Sequence, residues 1–441
     1  MKSKSKYKWN SEGRKQIKHN LIKIKELASS LFYYSNEISA EIIDFILLPA
    51  ISIKWKMQNP LWCQLISAPG SGKTLHVSLL ETWRNSIYIS RLSKNSLISG
   101  YREANNKEYD PSFLNLLNNK LLIIKDFTCI LQSPKEDRDC IIGQLRDIYD
   151  GKAARVFGNI GLREYKSRFN LLLAVTHIID GFHTINVQLG ERFISRREVI
   201  KNRNQIIQTA FKNTVIGFDQ DKFDSLKNKV NLFLNLIPKV SLRQIHWPNE
   251  MSTRAIQGAN FISLARSHVI RDSGGYGITS RPSPEVGTRL VTQIAQMVSG
   301  YCILNGLTSI NERAWAFGGA RVLCDTLPIS ISWILYNIYL LTKKSFYHKL
   351  KPFFVSKDIL PMTKLGWRIV DQTLTDLYHN GVLEAIFSGR MGIRKTRFRL
   401  KQKYYELIGN LKLFEHFSDE LFDVRDLPYI LSKKERQRNE L

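Results

Sequence analysis

Short apolar runs alternate with longer amphipathic stretches between residues 59 and 201. Five runs have the length and composition of buried strands, and helical periodicity follows them. They read LWCQLI, NSIYIS, LLIIKDF, FNLLLAVT and FISRREVI. Strands that alternate with helices are typical of a parallel sheet flanked by helices. The pattern therefore predicts an α/β fold with a parallel sheet at its centre.

The pattern changes on both sides of this region and divides the chain into four predicted parts. Residues 1–58 are predicted to form a basic N-terminal helical arm, and residues 59–201 the α/β core. Residues 202–345 have mainly helical periodicity and are predicted to form a helical lid. Residues 346–441 are predicted to contain a winged helix and a tail.

A glycine-rich loop follows the first strand and reads SAPGSGKT over residues 67–74. In a P-loop, backbone N–H groups cradle phosphates, a lysine reaches the terminal phosphates, and a hydroxyl ligates magnesium. The predicted cofactors are therefore ATP and Mg²⁺, with Thr74 as a metal ligand. The predicted nucleotide ligands are Gly70, Ser71, Gly72, Lys73 and Thr74. Ser67 replaces the first glycine of the pattern, and a surface turn is the structural alternative.

Two later strands end in polar residues that would lie beside this loop. LLIIKDF ends with Lys125 and Asp126, where related ATPases place two acids, one for magnesium and one for the attacking water. We predict Asp126 as a catalytic and metal-binding residue, and slow hydrolysis or help from another acid. FNLLLAVT ends in Thr176, a predicted sensor of the γ-phosphate. The structural alternatives are a buried strand with a charged end and a strand cap.

Arginines are concentrated in GERFISRR, residues 190–197. An arginine at this place can reach the nucleotide of a neighbouring subunit and stabilise transition-state charge. Arg192 is the predicted arginine finger, with Arg196 and Arg197 behind it. The alternative is a set of solvated arginines.

The charge of the chain indicates a polyanionic partner. It contains 65 Lys and Arg against 39 Asp and Glu, a formal net charge of +26. Nucleic acid is the first candidate because basic residues recur among aromatic ones, and an acidic membrane surface is the alternative. The five scattered cysteines indicate neither a zinc site nor a disulfide framework. Without a signal peptide or spanning segment in this sequence, we predict a cytoplasmic protein without a membrane partner.

The C-terminal segment 346–407 predicts a helix, a turn at 361–363, a second helix and a hairpin around 388–392. Thr363 is predicted to cap the second helix, and the apolar face of that helix would contain Leu365, Ile369, Leu374 and Leu377. The predicted DNA-binding side chains are Lys364 and Arg368, with Trp367 and Gln372 beside them, and Arg390, Arg394, Lys395 and Arg397 of the wing. Protein docking is the alternative use of such a domain.

Taken in order, these motifs resemble those of AAA+ ATPases and, within them, the minichromosome-maintenance (MCM) helicases. The likeness covers roughly residues 67–315 and includes IKDFTCIL, KEDRDCIIGQLRDIYDG and KAARVFGN. It implies that Lys125 stands at the family's magnesium aspartate and Asp126 at its catalytic glutamate. It also implies a second arginine sensor at Arg289, and a hairpin whose Lys152 and Arg155 face a central channel and follow the DNA backbone.

The expected protein is thus a DNA-binding AAA+ ATPase that moves along, opens or remodels DNA. An MCM-like replicative helicase or replication initiator of a mobile element or phage is the leading form. We expect binding to single- or double-stranded DNA, self-association into a hexameric ring or a filament, and a replication or recombination partner protein. Two alternatives stay open: an ATP-gated DNA-assembling recruiter of the transposition or defence type, and a winged-helix transcriptional regulator.

Overall fold

The computed structural model describes residues 8–32, 36–55, 59–101, 110–158, 161–182, 192–198, 203–267, 269–272, 277–280, 283–347, 353–388 and 395–417. The chain divides into two compact units. The first contains residues 1–252 and 292–322, and the second contains residues 253–291 and 323–441. The predicted lid, 202–345, contributes residues to both units.

The first unit is built on a parallel sheet, as the sequence predicts. Its described strands are β1 (Trp62–Ile66), β2 (Ser86–Ile89), β3 (Leu121–Ile124), β4 (Lys152–Phe157), β5 (Gly161–Lys166), β6 (Asn170–Val175) and β7 (Phe193–Arg197). Five of them form the sheet in the order β2-β3-β6-β1-β7, with every neighbouring pair parallel. Strands β4 and β5 form a separate antiparallel hairpin. The α/β prediction is confirmed.

Helices account for most of the remaining described chain. In chain order they are α1 (Ser11–Leu31), α2 (Asn36–Ser52), α3 (Lys73–Val77), α4 (Leu114–Leu117), α5 (Thr128–Leu131), α6 (Lys135–Ile148), α7 (Arg203–Ile216), α8 (Gln220–Leu236), α9 (Asn249–Arg266), α10 (Thr288–Leu304), α11 (Glu312–Trp315), α12 (Arg321–Thr326), α13 (Ile329–Tyr347), α14 (Ser356–Thr363), α15 (Trp367–His379) and α16 (Gln402–Leu411). A π-helical turn, Ala316–Ala320, precedes α12, and 3-10 turns cover Ser78–Leu80, His177–Phe182 and Leu242–Gln244.

Both faces of the sheet are covered, which explains why its strands are apolar runs rather than alternating ones. On one face Trp62 contacts the edge of Tyr149 at a centroid distance of 5.0 Å and stacks on Phe169 at 5.6 Å. Helix α2 packs against β1 and β6, and α1 packs on α2. The region predicted as a basic helical arm, residues 1–58, thus contains two helices, one of which packs directly on the sheet.

The second unit contains the helix-turn-helix and hairpin that the sequence predicts near its C-terminal end. After α14 and α15 come β8 (Leu383–Ser388) and β9 (Lys395–Leu400), which pair antiparallel. The predicted turn position was wrong: Pro361 lies inside α14, which ends where Lys364 adopts a left-handed φ of +52°. Thr363 therefore ends the first helix instead of capping the second, and Gly366 precedes α15.

The prediction for the buried face of α15 was wrong at two of its four positions. Leu365 precedes the helix, and Ile369 is 46% exposed. Leu374 and Leu377 are buried as expected, together with Val370 and Thr373, and this spacing defines the inward face.

Among the described residues, no single helix is long and apolar enough to cross a membrane. The sharply bent pair Glu312–Thr326 and Ile329–Ser345 meets the criteria of length and composition only when taken together.

Candidate nucleotide-binding site

The glycine-rich loop begins where β1 leaves the sheet between β6 and β7. The Ser67 N–H donates to the Val175 carbonyl at 3.2 Å, and the Glu198 N–H donates to the Ile66 carbonyl at 2.8 Å. Both strand ladders thus continue up to the first residue of the loop. This places the loop at the carboxyl edge of the sheet, where α/β proteins bind their ligands.

The two glycines of the loop have the conformation that requires glycine. Gly70 has a φ of +74° and Gly72 a φ of +83°, both in the left-handed region that residues with a Cβ avoid. No heavy atom lies within 4 Å of a Cβ built at Gly70, so the loop is open on that side. Ser71 is buried and Thr74, one residue into α3, is exposed. The loop therefore has the glycine conformations and the open side that its sequence pattern predicts.

Lys73 lies over the loop it follows. Its Nζ donates to the Ser67 carbonyl at 3.0 Å and the Ala68 carbonyl at 2.8 Å. Burial lowers the pKa of Lys73, and the negative charge of Asp126 opposes that shift. Lys73 and Asp126 are therefore close enough for their charges to interact. The negative charge of Asp126 thus acts on the loop lysine, as expected for a strand that ends beside the loop.

Asp126 and Thr176 are joined through a third residue. Asp126 Oδ1 accepts a hydrogen bond from the Thr128 N–H at 2.9 Å. The Thr176 N–H donates to Thr128 Oγ1 at 3.2 Å, and the two threonine hydroxyls lie 3.4 Å apart. The sequence analysis missed Thr128, which links β3 to β6. A hydroxyl two residues after a strand-end aspartate is the signal that could have indicated it.

A buried histidine supports the loop from below. His76 is 1% exposed, its Nδ1 donates to the Gly72 carbonyl at 2.9 Å, and its ring lies 4.2 Å from that of Phe32 in the segment after α1. Burial lowers the pKa of His76 to about 4, so the ring is neutral at pH 7. The sequence analysis did not identify this residue, because a histidine in an apolar helix has no distinctive local pattern.

Arg192 lies at the amino edge of the sheet, where the parallel strands begin, and thus at the opposite end of the strands from the carboxyl edge. Strand β7 follows it, and Phe193 is level with Trp62 at the start of β1. Arg192 is 6% exposed, and its guanidinium lies 5.4 Å from the centre of the Tyr149 ring. Arg192 is therefore buried and remote from the glycine-rich loop of its own chain. Its role as an arginine finger stays a prediction.

The arginine at the carboxyl edge is Arg197. It is level with Ile66 in β1, and its guanidinium donates two hydrogen bonds to Asp180, at 2.7 and 2.9 Å. Asp180 lies in the turn after β6, and His177 Nδ1 is 3.9 Å from its carboxylate. The sequence analysis named Arg197 only in support of Arg192 and did not identify Asp180 or His177.

The hairpin of β4 and β5 separates the two residues that were predicted to face a DNA channel together. Lys152 is exposed on the outer face, opposite Lys166. Arg155 lies three residues further along the strand and therefore on the other face. Its guanidinium is 5.1 Å from the centre of the Phe157 ring. Because side chains alternate along a strand, the two residues lie on opposite faces of the hairpin, and the channel-facing role predicted for them stays a prediction.

The remaining predicted residues belong to the second unit. Lys364 and Arg368 are exposed around the turn before α15, and Arg397 is exposed on β9. Arg289 is partly buried near the start of α10. Arg390 and Arg394 lie outside the described residues, and only the backbone of Lys395 is described. The functions predicted for these residues stay predictions.

One group of three residues with metal-binding side chains occurs in the described part of the chain. Cys324, Asp325 and His416 offer ligand atoms within 4.8 Å of one another. All three belong to the second unit, and His416 Nε2 lies 3.9 Å from Asp325.

Comparison of the chain with profiles of known protein families and with curated proteins finds no match. The functional assignment therefore depends on the geometry of the chain's own residues.

Proposed function

We propose that this chain binds ATP and Mg²⁺ at the carboxyl edge of its sheet and belongs to the AAA+ type of ATPase. The observation that carries the proposal is the convergence of the loop lysine with two strand-end residues. Lys73 interacts electrostatically with Asp126, and Thr128 connects the end of that strand to Thr176. A surface turn of similar sequence would not be expected to lie beside both Asp126 and Thr176.

Each residue has a defined task in this proposal. The backbone N–H groups of residues 70–74 would cradle the phosphates, and Lys73 would exchange its loop carbonyls for phosphate oxygens. Thr74 and Asp126 supply the hard oxygen atoms that Mg²⁺ prefers. Bound ATP supplies a phosphoanhydride bond whose cleavage releases free energy. Thr176 would contact the terminal phosphate.

We further propose that the chain acts on DNA. On the outer face of the β4–β5 hairpin, Lys152 lies opposite Lys166. Like charges in such a pair repel one another, and contact with a phosphate backbone would relieve that repulsion. In the second unit, Lys364 and Arg368 are both exposed. Lys364 lies in the turn before α15, the second helix of the helix-turn-helix, and Arg368 lies in the first turn of α15. The hairpin of β8 and β9 follows. This order supports a winged helix that contacts DNA.

The resulting function is the coupling of ATP binding or hydrolysis to movement along DNA, or to its opening or remodelling, by an oligomeric ring or filament. An MCM-like replicative helicase or initiator is the form we favour.

A specific observation supports a second candidate, an ATP-gated protein that assembles on DNA with slow turnover. Lys125 occupies the place of one of the two acids, and the Asp126 carboxylate already accepts the Thr128 N–H. A site with a single, engaged carboxylate is suited to binding more than to rapid hydrolysis.

The rate of ATP hydrolysis with and without DNA separates these functions. A helicase should hydrolyse ATP faster when single- or double-stranded DNA is added, and Asp126→Ala should remove the stimulation. Negligible turnover with tight binding of ATP and DNA would favour the assembly protein. Failure to bind ATP at all would contradict both.

A further inference from the structure

The ion pair between Arg197 and Asp180 lies across the end of the loop-bearing strand. Arg197 ends β7 on one side of β1, and Asp180 follows β6 on the other side. The guanidinium of Arg197 donates to both carboxylate oxygens, at 2.7 and 2.9 Å. The two side chains therefore meet at the carboxyl edge, where β1 passes into the glycine-rich loop.

The same pair lies within the electrostatic field of the loop lysine. The pKa of His177 is lowered first by burial, and the positive charges of Arg197 and Lys73 lower it further, while Asp180 opposes the shift. His177 thus responds to both Arg197 and Lys73. Arg197 and the lysine that would bind the terminal phosphates therefore both act on His177, at the edge of the sheet where β1 passes into the loop.

Arg197 and Asp180 have the chemistry of a phosphate-binding site in which a carboxylate of the protein occupies the position of the phosphate. The planar fork of arginine matches carboxylate and phosphate alike, and both can accept two parallel hydrogen bonds. A terminal phosphate carries more negative charge than one carboxylate. It would therefore compete with Asp180 for Arg197, while Asp180 keeps the guanidinium in position beforehand.

We propose that Arg197 is a binding residue for the γ-phosphate within its own subunit, and that Asp180 is the positioning residue that holds it there until a nucleoside triphosphate enters. The proposal rests on the ATP site described above and deepens it, because it states how the site distinguishes ATP from ADP. ADP lacks the phosphate that Arg197 would contact.

The test compares the affinities for ADP and for a non-hydrolysable ATP analogue, both with Mg²⁺, by calorimetry on the full chain. Arg197→Gln should weaken binding of the ATP analogue by roughly ten- to a hundredfold, the range for a lost charge-assisted contact, and leave ADP binding unchanged. Equal losses for both nucleotides, or no loss, would overturn the proposal. If the wild-type chain binds neither nucleotide, the proposed ATP site fails together with this inference.

A matched control is the adjacent Arg196, which lies on the other face of β7. It is also buried, and it pairs with Glu198 at 2.6 Å and with Glu41. Arg196→Gln should lower the unfolding temperature without changing the ratio of the two affinities. If that ratio falls as far as in Arg197→Gln, the effect belongs to the strand in general and the proposal is wrong.

Asp180→Asn provides a second variant that keeps the arginine. Its amide oxygen still accepts one hydrogen bond, but the competing negative charge is removed. The ratio of ATP-analogue to ADP affinity should rise several-fold, whereas a purely structural ion pair would leave that ratio unchanged. This result decides the question even if Arg197→Gln does not fold.

Discussion

The two edges of the parallel sheet differ sharply in chemistry. The carboxyl edge brings together Lys73, Asp126, Thr176 and the Arg197–Asp180 pair. At the amino edge, Trp62 packs between aromatic rings, and Arg192 lies against one of them. Because all five strands run in one direction, each strand-end polar residue arrives at the same edge. Strand direction therefore decides which polar residues can act together.

Strand β7 shows this difference within a few residues. Arg192 precedes the strand and Arg197 ends it. At about 3.3 Å per residue, their backbones are about 16 Å apart along the strand. Two arginines of one short motif thus belong to different edges.

The largest expected effect is on hydrolysis at the carboxyl edge. Asp126→Asn should slow ATP hydrolysis by about 10²–10⁴-fold, because Lys125 stands at the place of the second acid and cannot take over this role. Nucleotide affinity should change far less. Asp147→Asn, an exposed carboxylate on α6, is the control and should leave the rate unaltered. An unchanged rate in Asp126→Asn would remove this residue from the reaction.

Lys73→Ala should weaken ATP binding by about 10²–10⁴-fold, since two charge-assisted contacts of about 1.5–3 kcal/mol each are lost. Lys120 is the matched lysine of the amino edge, where its Nζ donates to the Arg84 carbonyl at 3.0 Å. Lys120→Ala should keep the wild-type affinity. Both affinities are measured by equilibrium titration. Equal ATP affinities in the two variants would contradict the assignment of nucleotide binding to the carboxyl edge.

His76 should make the loop region sensitive to acid. The pKa of His76 is about 4 in the folded chain, compared with an ordinary value of 6.5. Between these two pH values the folded state therefore binds fewer protons than the unfolded state. Its contribution to stability is complete above pH 6.5 and is lost as the pH falls to 4, by about 3 kcal/mol at most. The difference in unfolding free energy between wild type and His76→Asn should decrease over that range.

Asp44 is the reason for comparing wild type with His76→Asn instead of using the pH profile of the wild type alone. Burial raises the pKa of Asp44 to about 6, so its contribution to stability is lost as the pH rises through the same range. The contributions of His76 and Asp44 therefore change in opposite directions with pH and partly cancel in the pH dependence of wild-type stability. A difference curve that stays flat between pH 7 and pH 4 would show that His76 is not buried in its neutral form.

The smallest effect is expected at the amino edge. Arg192→Met should lower the unfolding free energy by about 1 kcal/mol through loss of the contact with Tyr149, and leave ATP affinity unchanged. The measurements are chemical denaturation and nucleotide titration. A slower hydrolysis with unchanged stability would instead restore Arg192 as an arginine finger for a neighbouring subunit.

Local patterns predicted the features that depend on local sequence. The apolar runs gave the strands of the sheet, and the glycines at 70 and 72 gave a loop whose φ angles require glycine. Predictions that needed tertiary register were less accurate. The predicted hairpin was found, but the opposite faces of Lys152 and Arg155 were not foreseen, and Thr363 was assigned to the wrong helix. Asp180 could not be paired with Arg197 before the strand order was known.

Hydrogen–deuterium exchange of the wild-type chain, with and without a non-hydrolysable ATP analogue and Mg²⁺, tests the central claim most directly. The account predicts slower exchange in residues 67–77, 126–128 and 176–180 at the carboxyl edge, and little change at residues 168–170 of the amino edge. Unchanged exchange at the glycine-rich loop under saturating nucleotide, or protection confined to the amino edge, would contradict it.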